Sequence, residues 1–301
     1  MALAIRGSGV GVGAREPFKG NKFVIGSRIA VQTACLKQPT RKALHIAAQL
    51  GCDGVQFDAR QEIRPTEISA TGLRHLRKLL NDLNLRVASI ALPSPFGYAQ
   101  PDGLQHRVDA TREAMRLASQ LQARVLVFNL GPVPDPPIDR GETATDGHED
   151  QLQNLRSRGW STLVDALGVL ASHGNRLGVQ LAAYAPGTDP HILLQLVSEL
   201  PEGALGVDLS PAPLVAAQGS VINFVEILGP HIVHVYGSDA VRDPASQQAV
   251  EVELGRGSAD YPELLGHLEE FGYRGWITLV RQYSNRQLED LDNAVRYLQA
   301  I

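Results

Sequence analysis

Residues 178–210 read "GVQLAAYAPGTDPHILLQLVSELPEGALGVDLS". The stretch opens on an apolar run (178–184) and passes through a Pro- and Gly-bearing turn. It continues as a segment with apolar spacing of three and four (190–199) and ends on a second apolar run (205–210). Two short apolar runs joined by one amphipathic stretch predict two parallel strands and a crossover helix, because a parallel pair needs a connection long enough to return to the same end of the sheet.

The same unit recurs in both directions. Candidate strands are "RIAVQTA" (28–34), "GVQFDA" (54–59), "RVASIAL" (86–92), "RVLVFNL" (124–130), "GVQLAAY" (178–184), "LGVDLS" (205–210), "HIVHVYG" (231–237) and "GWITLV" (275–280). Helical spacing is found at 40–50, 70–83, 106–122, 151–173, 190–199, 220–228 and 260–271, and at the terminal "NRQLEDLDNAVRYLQA" (285–300). Strict alternation implies parallel strands with right-handed crossovers. Eight such units predict an α/β fold, a (β/α)8 TIM barrel in a single domain over 28–301, with an open doubly wound sheet as the alternative. Residues 1–27 read as a flexible N-terminal arm. Its "GSGVGVG" matches a dinucleotide loop in composition only, since no strand precedes it and no helix follows. The longest irregular segment is 131–150, a length that suggests a functional loop.

A net charge of −4 with scattered Lys and Arg gives no footprint for nucleic acid or an anionic membrane. No apolar run approaches bilayer length, and the N-terminus lacks a signal-peptide core. Cys35 and Cys52 form neither a CxxC pair nor a zinc spacing, so they are expected to be free, buried thiols in a cytoplasmic protein.

In a barrel of this kind the site lies at the C-terminal ends of the strands. The groups there are Gln56, Asp58 and Arg60; Ser89 and Asn129; Tyr184; Asp208 and Ser210. The later exits add His234, Tyr236, Ser238, Asp239, Arg281 and Gln282. Ser89 and Asn129 are of the types that brace loops, and Asp58 and Arg60 are placed to pair across the rim.

The last third is the most specific. In "LGRGSADYPELLGHLEEFGYRGWITLV" (254–280), Leu254, Gly255, Gly257, Asp260, Gly272, Tyr273, Gly275 and Trp276 resemble a loop–helix–strand signature of the xylose-isomerase-like barrels, the sugar phosphate isomerase/epimerase superfamily. "HIVHVYGSDA" (231–240), "GVDLSPAPL" (206–214) and "GVQLAAYAPG" (178–187) resemble the preceding units, and "LGCDGVQF" (50–57) with 72–90 fits the first half. The resemblance implies one divalent metal in the barrel mouth, held by a Glu, an Asp, a His and a second Glu on the last four strands, acting as a Lewis acid while the two Glu move a proton. Here those positions carry Tyr184, Ser210, Tyr236 and Val280, and Pro213 replaces a nearby family His. Neutral hydroxyls and a valine do not make a first shell for a hard cation. No metal and no other cofactor is therefore expected.

Three functions follow as expectations. The first is a metal-free binding protein or pseudoenzyme for a sugar or other small polar metabolite, with Asp58, Arg60, Asn129, Tyr184, Ser210, Tyr236 and Arg281 as contacts. The second is an isomerase or epimerase with a rebuilt acid–base site using Asp208, His234 and Asp239. A variant of it recruits His148, Glu149 and Asp150 of "DGHED" (146–150). The third is an interaction scaffold, with the Pro-rich 131–141 as a docking loop. A homo-oligomer is compatible with all three.

Overall fold

The computed structural model describes residues 28–137, 147–243 and 248–301. Eight parallel strands form the barrel: β1 (Arg28–Gln32), β2 (Gly54–Asp58), β3 (Arg86–Leu92), β4 (Val125–Asn129), β5 (Gln180–Tyr184), β6 (Leu205–Leu209), β7 (Ile232–Gly237) and β10 (Trp276–Leu279). They close in the order β1-β10-β7-β6-β5-β4-β3-β2, so no barrel strand is left with an unpaired edge. The closed barrel, not the open sheet, is the fold. Each of the eight lies within one or two residues of its sequence-predicted bounds.

The helices are α1 (Thr40–Gln49), α2 (Ala70–Asp82), α3 (Leu104–Gln120), α4 (Gly147–Leu177), α5 (Pro190–Ser198), α6 (Pro211–Ala216), α7 (Val221–Leu228), α8 (Tyr261–Glu270) and α9 (Gln287–Ala300). Their starts follow from local chemistry. Ser69, Asp189, Ser220 and Asp260 each accept a hydrogen bond from a backbone N–H in the first turn of the helix that follows, satisfying a donor that the helix cannot. Each helix turns an apolar stripe onto the outer face of the barrel. Buried Leu44, Leu117, Leu167, Leu196, Leu228 and Leu264 belong to one continuous core with strand residues such as Val31, Val55 and Leu279.

The structure departs from the sequence reading in three places. "PAP" after β6 opens a further helix, α6, outside the segments of helical spacing, since proline lacks only an N–H that the first turn leaves unbonded anyway. An antiparallel hairpin, β8 (Asp239–Arg242) and β9 (Ala249–Val252), stands beyond β7 with Asp239 opposite Val252. Its strands are four residues long and half exposed, too short for a periodic signal. The irregular segment predicted to reach residue 150 ends earlier, because α4 begins at Gly147. Residues 138–146 and the arm 1–27 lie outside the described residues.

Candidate functional site

Side chains alternate along a strand, and this period divides the polar interior of the barrel into two layers. The lower layer holds Gln56 of β2, Ser89 of β3, Asp208 of β6, His234 of β7 and Thr278 of β10. All five are buried. His234 Nδ1 lies 2.6 Å from Asp208 Oδ1, with side-chain exposures of 1% and 0%. Its Nε2 lies 2.9 Å from Thr278 Oγ1, 3.2 Å from Ser89 Oγ and 3.3 Å from Gln56 Nε2. Gln56 Nε2 donates to Ser89 Oγ at 2.8 Å. Burying so many polar groups is tolerable because each has a partner; one left over would cost on the order of 1–3 kcal/mol.

Two residues further along the same strands is the upper layer: Asp58, Ser210, Tyr236 and Val280, joined by Tyr184 at the end of β5. All five line one cavity of about 690 Å³ at the C-terminal mouth. Ser210 Oγ donates to Asp208 Oδ2 at 2.5 Å, and Tyr236 Oη donates to Gln56 Oε1 at 2.9 Å, so the upper layer is tied to the lower. The Tyr236 ring meets the His234 ring edge to face at 4.7 Å. The Tyr184 hydroxyl makes no hydrogen bond among the described residues. Burial, and then the Asp208 charge, push the hydroxyls of Tyr184 and Tyr236 above the ordinary tyrosine value, so both stay protonated. Apolar walls come from Leu92, Phe128 and Pro213, and the rim from Lys37, Glu251 and Gln282.

The other sequence-predicted residues are placed differently. Asp208 and His234 lie beneath the cavity and do not line it. Asp239 is committed to structure: its Oδ1 accepts from the backbone N–H of Ala240 (3.0 Å) and Ala259 (3.2 Å), and its Oδ2 from Gly255 (3.1 Å) and Gly257 (2.8 Å). A Cβ at Gly257 would overlap that carboxylate, which explains the glycine in the 254–257 motif. Asp58 does not pair with the Arg60 side chain. Its Oδ1 accepts from the backbone N–H of Arg60 (2.6 Å) and Gln61 (2.9 Å), while the Arg60 side chain is exposed outside the cavity. Arg281 also lies off the cavity, bridging Asp290 at 2.8 Å and Glu251 at 3.2 Å. Asn129 reaches the cavity but braces a loop, donating to Ser94 O and accepting from Gly131 N. Residue 146 lies outside the described residues, and 147–150 form the start of α4.

Sequence reasoning missed Thr278, Lys37 and Glu251, and gave Gln56 no role. Thr278 was recoverable, since it precedes Val280 by two and therefore shares its inward parity. Lys37 and Glu251 stand on a 3-10 turn and on the hairpin, which carry no such signal.

The four positions where the resemblance implies metal ligands converge as they should, because Tyr184, Ser210, Tyr236 and Val280 share the cavity. Their chemistry does not suit the ion. They offer two phenols, one hydroxyl and no donor at all from valine, and the Ser210 and Tyr236 protons are directed at Asp208 and Gln56. Among the described residues no three His, Cys, Asp or Glu side chains are grouped to hold a metal.

A closed parallel barrel with a deep cavity at the C-terminal ends of its strands defines a class of small-molecule sites. A family model, xylose isomerase-like TIM barrel, matches residues 44–301, and the chain belongs to that family. An uncharacterized protein of Methanocaldococcus jannaschii is 19% identical over 292 residues, covering 93% of this chain and 90% of that one. The crystal structure of a xylose isomerase domain protein from Planctomyces limnophilus superposes with a TM-score of 0.72 at 19% identity, covering 91% of this chain and 96% of its own. That of a D-allulose 3-epimerase from Methylomonas sp. in complex with D-allulose gives 0.67 at 15% identity, covering 91% and 97%. At these identities the likeness to solved structures is one of fold. No helix among the described residues is long and apolar enough to cross a membrane.

Proposed function

We propose that this chain is a metal-free binding protein for a sugar or similarly small polar metabolite, held in the cavity at the barrel mouth. The observation that carries the reading is the pairing of an open cavity with a changed ligand set. The cavity lies at the strand ends, and its lining includes Tyr184, Ser210, Tyr236 and Val280, the positions where the resemblance implies metal ligands. Tyrosine rings offer flat faces to a sugar ring and hydroxyls to its edge. An isomerase or epimerase with a rebuilt site is the poorer fit. Asp208 and His234 are buried against each other below the cavity, Asp239 is saturated by four amides, and the two phenols are held protonated by their surroundings and so offer no base. A pure scaffold would have little reason to keep about 690 Å³ open at its mouth. Two buried free thiols, Cys35 and Cys52, fit the reducing cytoplasm.

The test is metal content by mass spectrometry on untreated protein and after soaking in excess Mn2+ and Mg2+, followed by ligand-observed NMR against a panel of sugars and polyols. The reading expects no stoichiometric metal, and a ligand whose binding is weakened by Tyr236→Ala without loss of fold. A stoichiometric divalent ion, or binding unaffected by Tyr236→Ala, overturns it.

A further inference from the structure

The hydroxyls on the cavity floor have fixed directions, and the cause lies a layer below. A carboxylate only accepts, so Asp208 accepts a hydrogen bond from each neighbour: from His234 Nδ1 at 2.6 Å and from Ser210 Oγ at 2.5 Å. With a single proton, on Nδ1 toward Asp208, His234 turns the Nε2 lone pair to the Thr278 hydroxyl at 2.9 Å. Gln56 lies against the same Nε2 at 3.3 Å and must turn its NH2 that way. Its Oε1 is thereby aimed at the upper layer, where it accepts from Tyr236 Oη at 2.9 Å and Gln32 Nε2 at 2.8 Å. Both floor hydroxyls, Ser210 and Tyr236, thus send their only proton down, and what they turn to the cavity is lone pairs. Asp58 adds a carboxylate at the edge of the same cavity. The exception is Tyr184, whose proton has no partner among the described residues.

We propose that the cavity selects a ligand by a protonated amine set on the acceptor floor of Ser210 and Tyr236, with a neighbouring oxygen taking the Tyr184 proton. This rests on the cavity being a small-molecule site, and it narrows that site to amino sugars and amino alcohols. The amine stands where the family's cation would stand. It is held by hydroxyl lone pairs and tyrosine ring faces, with the Asp208 charge directly beneath. A phosphate or carboxylate finds no donor on the floor. Lys37, the cation among the lining residues, is exposed on the rim, where water and salt screen it.

Three probes of one skeleton separate the possibilities: glucosamine, glucose and glucose 6-phosphate. Binding is followed on 13C-labelled tyrosine rings, which report the cavity itself. Glucosamine is expected to bind at least about tenfold more tightly than glucose, with glucose 6-phosphate weakest, and its advantage should vanish as pH rises through the amine's own pKa. Tyr236→Phe keeps the ring and removes the acceptor, and should cost glucosamine at least about fivefold. The 15N shifts of His234 should show a neutral ring with its proton on Nδ1. Glucose or glucose 6-phosphate binding as tightly as glucosamine overturns the amine and leaves the cavity as a binding site. An imidazolium at His234 would reverse Gln56 and overturn the acceptor floor. No response of Tyr184 or Tyr236 to any probe removes both the inference and the binding role beneath it.

Discussion

Inside this barrel two polar layers stand two residues apart on the same strands, and their fates are opposite. The lower one, from Gln56 to Thr278, holds an aspartate and a histidine at 2.6 Å, the groups a chemist would first take for catalysis. It is buried, and its polar groups are hydrogen-bonded among themselves and to Ser210 and Tyr236 above. The upper one holds Asp58, two tyrosines, a serine and a valine, and it is the layer that faces about 690 Å³ of open space and keeps unused hydrogen-bonding capacity. The contrast teaches that a site is marked less by polar residues than by polar atoms without a partner in the protein.

The contrast can be broken most forcefully by rebuilding the upper layer. Tyr184→Glu, Ser210→Asp, Tyr236→His and Val280→Glu together should create a Mn2+ site with a Kd of about 10 μM or tighter by calorimetry, about 7 kcal/mol from nothing. A folded quadruple variant that binds no metal would mean that these are not the family's ligand positions. The lower layer is broken by Asp208→Ala, which strands His234 and Ser210. Urea denaturation should show a loss of about 3–5 kcal/mol, and a loss below about 1 would deny the layer its structural role. Next is Asp239→Ala, expected to cost about 2–3 kcal/mol and to speed amide exchange at Gly255, Gly257 and Ala259.

That variant carries a pH signature. Burial raises the Asp239 carboxyl above its ordinary value, although its four amides pull the other way. A raised acid stabilises most below the unfolded value and loses that contribution as pH rises through the folded one. The gap between wild type and Asp239→Ala should therefore be wider at about pH 4 than at about pH 7. The smallest effect concerns Cys35, which lines the cavity yet is pushed up to about 12 by burial. Its thiolate should appear only toward that pH. Alkylation near pH 8 should run at least about 100-fold slower than for a free thiol, and a rapid reaction would show the wall to be more open than its burial implies.

The sequence made the barrel legible because each strand is a short apolar run bounded by turn residues, and "RVASIAL" coincides with β3 residue for residue. It also brought Tyr184, Ser210, Tyr236 and Val280 together at strand exits, and these four do share the cavity. Depth was legible only in part: two residues before its strand exit, His234 reads as a hydrogen-bonded core histidine one layer deeper, and it is one. Period two says that His234 and Tyr236 share a face, but not that the first is sealed and the second open, because sealing depends on Thr278, Ser89 and Gln56 from three other strands. Nor did the sequence distinguish a free arginine from a committed one. Arg281 ends its strand as a ligand-binding residue would, and only the fold brings Glu251 and Asp290 to it.

The Asp239 clasp has a consequence for how such a mouth changes over time. Its carboxylate gathers the amides of 255, 257 and 259 to the foot of the hairpin, so the chain leaves the barrel and returns to it at one point. Doubling a loop costs only about 0.6 kcal/mol when its ends are already held together. The hairpin sets the wall formed by Ala240, Ala249 and Glu251, and it is fastened at two places, the Asp239 clasp and the Glu251–Arg281 ion pair at the end of the last barrel strand.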